Sequence, residues 1–280
     1  MRRQLRSESN RLTGFEAFNL ANELGGAAVG IFSGFVAGLL GVSPGGILVP
    51  GISLALGMGQ HPAQAVSLAA QLVPTSLSGV REFQKAGHAL SWRWVLFIAF
   101  GFLVGTAAGA LAAHHVADKP LRWLFVAYLL TLAVVVARKS RVSAKATDVN
   151  PTSSTSTSPM ALFVIGVVAG GSSGLLGIGG GLAMTALLTS WLGFFQHQAQ
   201  ALSLTVSALP LGLPAVWIYA DGPAELPWLT VVFVVTGLWI GTALGARAAT
   251  RLHEKRLRQY FVALIVLMAI AMAYRAVGSL

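Results

Sequence analysis

Cysteine is absent from all 280 residues. Disulfides, thiolate catalysis and cysteine metal sites are therefore excluded. Charge is scarce as well: Asp, Glu, Lys and Arg make up 10% of the chain, where soluble domains carry about 25%. Acidic residues are the rarest, nine against nineteen Lys and Arg. No charge of either sign falls in the middle of a long apolar run. That removes the buried carboxylates of the usual ion relay, and also a buried cation as an anion ligand. No cleavable signal is legible. Met1–Glu23 is polar, with Arg2, Arg3, Arg6 and Arg11 among Glu8, Glu16 and Glu23, and the apolar run after it is too long for a signal core.

What is present is hydrophobicity. Apolar residues make up 55% of the chain, in long runs with scattered Gly and Pro. Such runs fit membrane helices rather than the two-residue alternation of a barrel. The 32 glycines suit close helix contacts. A net charge of +10 in a soluble protein would point to nucleic acid. Here the basic residues sit at the ends of apolar runs, which reads as positive-inside topology and contact with anionic lipid, with no nucleic acid partner.

The chain also repeats itself at an offset of 136. Gln60-His61-Pro62-Ala63-Gln64-Ala65-Val66-Ser67-Leu68 falls on Gln196-His197-Gln198-Ala199-Gln200-Ala201-Leu202-Ser203-Leu204. Gly38-Leu39-Leu40-Gly41 falls on Gly174-Leu175-Leu176-Gly177, and Gly105-Thr106-Ala107 on Gly241-Thr242-Ala243. Paired halves in an apolar chain are typical of secondary transporters, whose substrate site lies between the repeats. The expected division is a polar segment 1–23, a first membrane repeat 24–138, a flexible Ser/Thr-rich linker 139–159 and a second membrane repeat 160–280.

Each half has four apolar blocks, 24–58, 62–80, 92–113 and 121–137 in the first and 160–194, 198–219, 227–246 and 257–276 in the second. The last three of each half match one span apiece. The first does not: roughly 35 residues make about 52 Å of helix, against a hydrocarbon core of ~30 Å. It must break, at Gly41-Val42-Ser43-Pro44-Gly45-Gly46 and at Gly177-Ile178-Gly179-Gly180-Gly181. The expectation is an all-α polytopic membrane protein of two homologous repeats, about five membrane elements each. Loop charges add a direction. Arg81, Lys85 and Arg93 follow block two of the first half, while Asp221 and Glu225 follow it in the second. Arg247, Arg251, Lys255, Arg256 and Arg258 follow block three of the second half, where its partner has Lys119 and Arg122 beside Asp118. Equivalent loops then lie on opposite faces, which five crossings per half produce and four do not. The repeats are expected to be inverted, although the N-terminal arginines argue against it.

The candidate chemistry is neutral. A broken helix exposes backbone N–H groups with the positive end of a helix dipole behind them, which suits a small anion. The competing role of such a break is tight helix packing. Gln64, Ser67 and Gln71 share one helix face, as do Gln200, Ser203 and Ser207 in the second half. A polar stripe in an apolar helix faces the protein interior or a cavity. It serves either as a ligand surface or for interhelical hydrogen bonds. His61 and His197 titrate near neutral pH, which makes them the candidates for proton coupling, their plainer role being to cap a helix. His114 and His115 beside Asp118 are too weak a pattern for a metal. Gly171-Ser172-Ser173-Gly174 has a protease-like spacing, but Ser173 aligns with Ala37 and the stretch reads as packing.

A Gly-rich break after an apolar helix, a short apolar segment, then Ala-x-x-x-Ser-Leu opening the next helix, all duplicated, resembles the TauE/SafE sulfite exporter family. Its Gly-x-Gly-Gly-Gly pattern stands at Gly177-Ile178-Gly179-Gly180-Gly181. The first half departs from it, with Ser43-Pro44 where two glycines are usual. The resemblance covers residues 24–277 and implies a multi-pass carrier of the bacterial inner membrane, not an enzyme, without cofactor or metal. Its implied substrate is sulfite, a sulfonate or a related small organosulfur anion, moved with a proton or sodium ion as coupling partner. Substrate-binding residues are expected at Gly41, Ser43, Pro44, Gly45, Gly46, Gly177, Gly179, Gly180 and Gly181, with Gln64, Ser67, Gln71, Gln200, Ser203 and Ser207. A homo-oligomer is compatible with this reading. The alternative is a channel-like or structural membrane protein whose repeat only builds a bundle.

Overall fold

The computed structural model describes residues 23–39, 43–74, 91–142, 158–194, 196–220, 226–249 and 254–278. Among them there are eleven helices and no strands. They are α1 Glu23–Leu39, α2 Gly45–Ala55, α3 Gln60–Gln71, α4 Trp92–His114, α5 Asp118–Val142, α6 Pro159–Leu176, α7 Gly181–Ser190, α8 Gln196–Ser207, α9 Leu213–Ala220, α10 Trp228–Ala249 and α11 Glu254–Gly278. The N-terminal segment and most of the expected linker lie outside the described residues; α5 itself runs to Val142, past the expected linker start.

By length and composition, α4, α6 and the stretch Trp228–Gly245 of α10 are long and apolar enough to cross a membrane. Their exposed faces are apolar. On α4, Trp92, Leu96, Phe100 and Val104 stand exposed at four-residue spacing. Exposed apolar side chains in a continuous stripe fit lipid rather than water.

The opposite face of α4 is built for contact. Gly101, Gly105 and Gly109 meet Gly166, Gly170 and Gly174 of α6, so closely that a Cβ at Gly105 would stand 2.2 Å from the Val167 carbonyl oxygen. The same crossing occurs a second time. Gly30 and Gly34 of α1 meet α10, where Gly237, Gly241 and Gly245 press on the Ala27, Ile31 and Phe35 carbonyls. These residues are the offset-136 partners of the first set. Block three of each half is thus packed on block one of the other, backbone to backbone, as small residues at four-residue spacing allow. The last helices α5 and α11, also repeat partners, pack on each other.

The first block of each half is broken as expected. In the second, α6 ends at Leu176, Gly177 closes it in the left-handed region at φ 71°, and α7 starts at Gly181. In the first, α2 starts at Gly45 after Pro44. Block two of the second half, expected to be one span, is instead two short helices. α8 stops at Ser207 and α9 starts at Leu213. Between them Pro210 offers no N–H and Gly212 no side chain, so the run Ala208–Gly212 cannot continue the helix. Among the described residues the second half therefore holds six helices, two of them from this one block. Helix α3 starts two residues before Pro62, at Gln60, with Gly59 as its N-cap. Proline is tolerated there because the first-turn N–H groups have no intrahelical partner.

Candidate functional site

The two breaks meet. Gly45, the first residue of α2, lies so near Ile178 that a Cβ would stand 2.3 Å from the Ile178 carbonyl oxygen. Gly181, the first residue of α7, faces Ser43, whose Cβ is 3.3 Å from the position a Cβ there would take. Neither short helix has a side-chain hydrogen bond at its N-cap, Pro44 for α2 and Gly180 for α7. Two helix N-termini, each with the partial positive charge of its unpaired N–H groups, thus converge where the halves touch.

Helix α3 lines one side of this junction. Ser67 Oγ donates to the Gly177 carbonyl at 2.8 Å. Gln71 Nε2 lies 3.0 Å from Ser67 Oγ, 3.0 Å from the Ser67 carbonyl and 3.4 Å from the Gly177 carbonyl. Ser43 Oγ is 2.7 Å from Gln71 Oε1 and 3.1 Å from the Ile178 carbonyl, its single proton serving one acceptor at a time. From α8, Ser203 Oγ donates to the Gly181 carbonyl at 2.9 Å, and Ser207 Oγ lies 3.6 Å from where a Gly181 Cβ would be. Ser43, Ser67 and Gln71 of the first half and Gly177, Gly179, Gly181, Ser203 and Ser207 of the second are therefore one cluster. The polar stripe of α3 faces the break of the opposite half.

Gln64 sits one turn before Ser67, fully buried, with its side chain against Gly177. Its Oε1 accepts from Tyr219 OH at 2.8 Å. Its Nε2 is buried without a hydrogen-bond partner. An unpaired amide donor costs ~1–3 kcal/mol; Gln60, one turn earlier on α3, likewise buries both its side-chain polar atoms without a partner.

The remaining candidates fall elsewhere. A Cβ on Gly180 would run into the Phe102 ring and the Ala169 carbonyl oxygen, and one on Gly46 would meet Ile178 Cγ2 at 3.8 Å. Gly41 and the side chains of His197 and Gln200 lie outside the described residues. His61 is not at the junction. It lies in the first turn of α3, before the apolar run, hydrogen-bonded through Nδ1 to Asp118 of α5, with Nε2 2.9 Å from the Ala113 carbonyl. The hydrogen bond with Asp118 raises the imidazole above its usual 6.5 and holds the carboxyl down at about 2. Asp118 thus faces His61, while His114 and His115 are exposed at the end of α4.

Sequence reasoning missed Tyr219 of α9, whose single hydroxyl proton faces Gln64 Oε1 of the first half and the Gly174 carbonyl of the second and serves one acceptor at a time. A tyrosine in an eight-residue apolar helix was the available signal, since its hydroxyl needs a partner when buried.

The family model of the sulfite exporter TauE/SafE matches residues 26–272. The chain belongs to the TauE/SafE family. A protein of Haemophilus influenzae (strain Rd) named "Probable membrane transporter protein" is 25% identical over 268 residues, covering 87% of this chain and 95% of the relative. No solved structure matches. TauE/SafE membership together with that relative supports a membrane transport protein, and the described residues bring the Gly177–Gly181 break and the polar α3 face into contact.

Proposed function

We propose that this TauE/SafE chain is a multi-pass secondary carrier of the bacterial inner membrane that moves sulfite, a sulfonate or a related small organosulfur anion by alternating access. The observation that carries it is the junction: two helix N-termini without side-chain caps converge near Gly177, against which Gln64 packs with a buried amide that has no acceptor. An anion supplies what that amide lacks, at a place where helix dipoles favour negative charge. The breaks and the serine and glutamine side chains form the binding surface. Inverted repeats are supported by the reciprocal glycine crossings and by the opposite charge of equivalent loops, and rocking of one repeat against the other around the junction provides access to each side in turn.

The second reading is a packed bundle with no carrier cycle. It is favoured by Ser67 and Ser203, whose hydroxyls are already given to the Gly177 and Gly181 carbonyls. A ligand that binds only the folded protein raises its unfolding temperature. Sulfite, sulfate, thiosulfate, taurine, sulfoacetate and sulfolactate are therefore screened by thermal unfolding, followed by saturable flux in proteoliposomes. Gln64→Leu separates the two readings. In a carrier it weakens anion binding by roughly tenfold or more, about 1.4 kcal/mol, while stability holds or rises because an orphaned donor is gone. A variant that loses stability and leaves binding unchanged supports the bundle.

A further inference from the structure

The His61 cluster at the end of α3 is built for a protonated ring. Nδ1 faces the Asp118 carboxylate and Nε2 faces the Ala113 carbonyl. A neutral imidazole donates from only one nitrogen, so only the imidazolium satisfies both acceptors. Asp118 Oδ2 also accepts the Gln60 N–H at 3.1 Å and lies 3.6 Å from Arg122 Nη2. One proton on His61 therefore joins the start of α3, the end of α4 and the start of α5. Helix α3 is the element that carries Gln64, Ser67 and Gln71 to the junction.

The other groups around the ring leave this role to Asp118. From α9, Tyr219 stands with its ring centroid 6.3 Å away. From α11, Arg275 gives its guanidinium to Ser53 Oγ and the Gly57 carbonyl, at 3.0 and 2.9 Å. Helix α4 adds the exposed His114 and His115, α5 the exposed Lys119, and α2 has no titratable residue. Glu23 of α1 accepts from Thr230 of α10.

The cluster is also written twice. At the offset of 136, Gln60, His61, Ala113, Asp118 and Arg122 fall on Gln196, His197, Ala249, Glu254 and Arg258. The acid, the histidine and the arginine all recur. We propose that His61 and Asp118 form a proton-binding tie that holds the start of α3 shut. When His61 gives its proton to water, Asp118 keeps its charge beside Arg122, Nε2 or Nδ1 loses its donor, and α3 is released from the α4–α5 turn. The link to transport rests on the carrier reading above: α3 carries Gln64, Ser67 and Gln71 to the junction, so releasing its start loosens that side of the site. Because His61 is raised, the tie is complete below the ordinary histidine value and is lost as pH rises through the raised one; Asp118, held at about 2, stays charged throughout that range.

The cysteine-free chain makes the test direct. Ala63, two residues after His61 on α3, is fully buried. Ala63→Cys is reconstituted in lipid vesicles. Its rate with a methanethiosulfonate reagent is measured against pH, relative to the denatured variant at the same pH. Reactivity at Ala63→Cys should rise by roughly tenfold per pH unit across the His61 transition, as a one-proton equilibrium requires. It should become flat with pH in a His61→Gln background and high at every pH in Asp118→Asn. A pH-independent rate at Ala63→Cys overturns the tie. If a cysteine variant does not fold, amide exchange of the Gln60–Gln64 stretch in the native chain, corrected for its intrinsic pH dependence, gives the same decision. A tie that follows pH in a protein that moves none of sulfite, sulfate, thiosulfate, taurine, sulfoacetate and sulfolactate leaves the tie standing and removes the carrier reading.

Discussion

The two breaks occupy equivalent places and turn by different means. In the second half, Gly177, Gly179 and Gly180 all take the left-handed region, at φ 71°, 83° and 63°. That conformation costs any other residue ~1–2 kcal/mol. In the first half Pro44 keeps a right-handed backbone, at φ −69°, and the preceding residue is a serine. The difference is forced by contact. A Cβ on Gly179 would stand 2.4 Å from Ser43 Oγ and 1.9 Å from Gln71 Oε1. Ser43 and Gly179 are repeat partners, and there is room for one side chain between them. The first half supplies it and the second half yields. A repeat that began as two like copies is therefore asymmetric at the place where a substrate would meet both.

The comparison can be broken most severely at Gly45. Leucine there drives a side chain into the Ile178 carbonyl. Backbone cannot retreat as a side-chain tip can, so Gly45→Leu should cost more than ~3 kcal/mol. The expected result is loss of a monodisperse folded protein on size-exclusion chromatography, not a folded protein with failed transport. A folded Gly45→Leu would mean that the two breaks are not in contact.

Gly179→Ala is next, and separates backbone strain from overlap. The single variant carries both the left-handed penalty and the clash with Gln71, together about 2–4 kcal/mol. Adding Gln71→Ala and Ser43→Ala clears both overlapping side chains and should recover only the overlap, leaving about 1–2 kcal/mol relative to the Ser43→Ala, Gln71→Ala background. Thermal unfolding of the single variant, the triple variant and that background measures the split. Full recovery would show that the turn does not need its positive φ.

The smallest effect tests what the two halves still share. Ser67 and Ser203 are repeat partners, and each donates to a break residue, at Gly177 and Gly181. Removing either hydroxyl should cost about 1 kcal/mol. Ser67→Ala is the more damaging expectation, because Gln71 Nε2 also loses Ser67 Oγ. Thermal unfolding that shows equal losses would mean that the Gln71 contact adds nothing.

Much of this was legible before any coordinates. The helical class and the two breaks followed from run lengths measured against a membrane, and the α3 stripe from three- and four-residue spacing. These are local properties, set by backbone geometry and by where Gly and Pro interrupt it. Tyr219 and Asp118 were not legible, because each acts across a large gap in sequence, on Gln64 and His61 respectively. The split between α8 and α9 was missed for another reason: Pro210 and Gly212 lie within an apolar run whose length alone suited a single span.

The sequence by itself determined that this is a helical membrane protein in two related halves, each interrupted at a glycine-rich point. Periodicity, hydrophobicity and the scarcity of charge suffice for that, since lipid leaves few ways to satisfy a backbone. Only the tertiary structure decided which interruption faces which polar stripe. Ser67 and Gln71 reach the break of the other half rather than their own, because the glycine crossings exchange helices between the repeats. That exchange depends on backbone-to-backbone fit at distant positions, which no local pattern encodes.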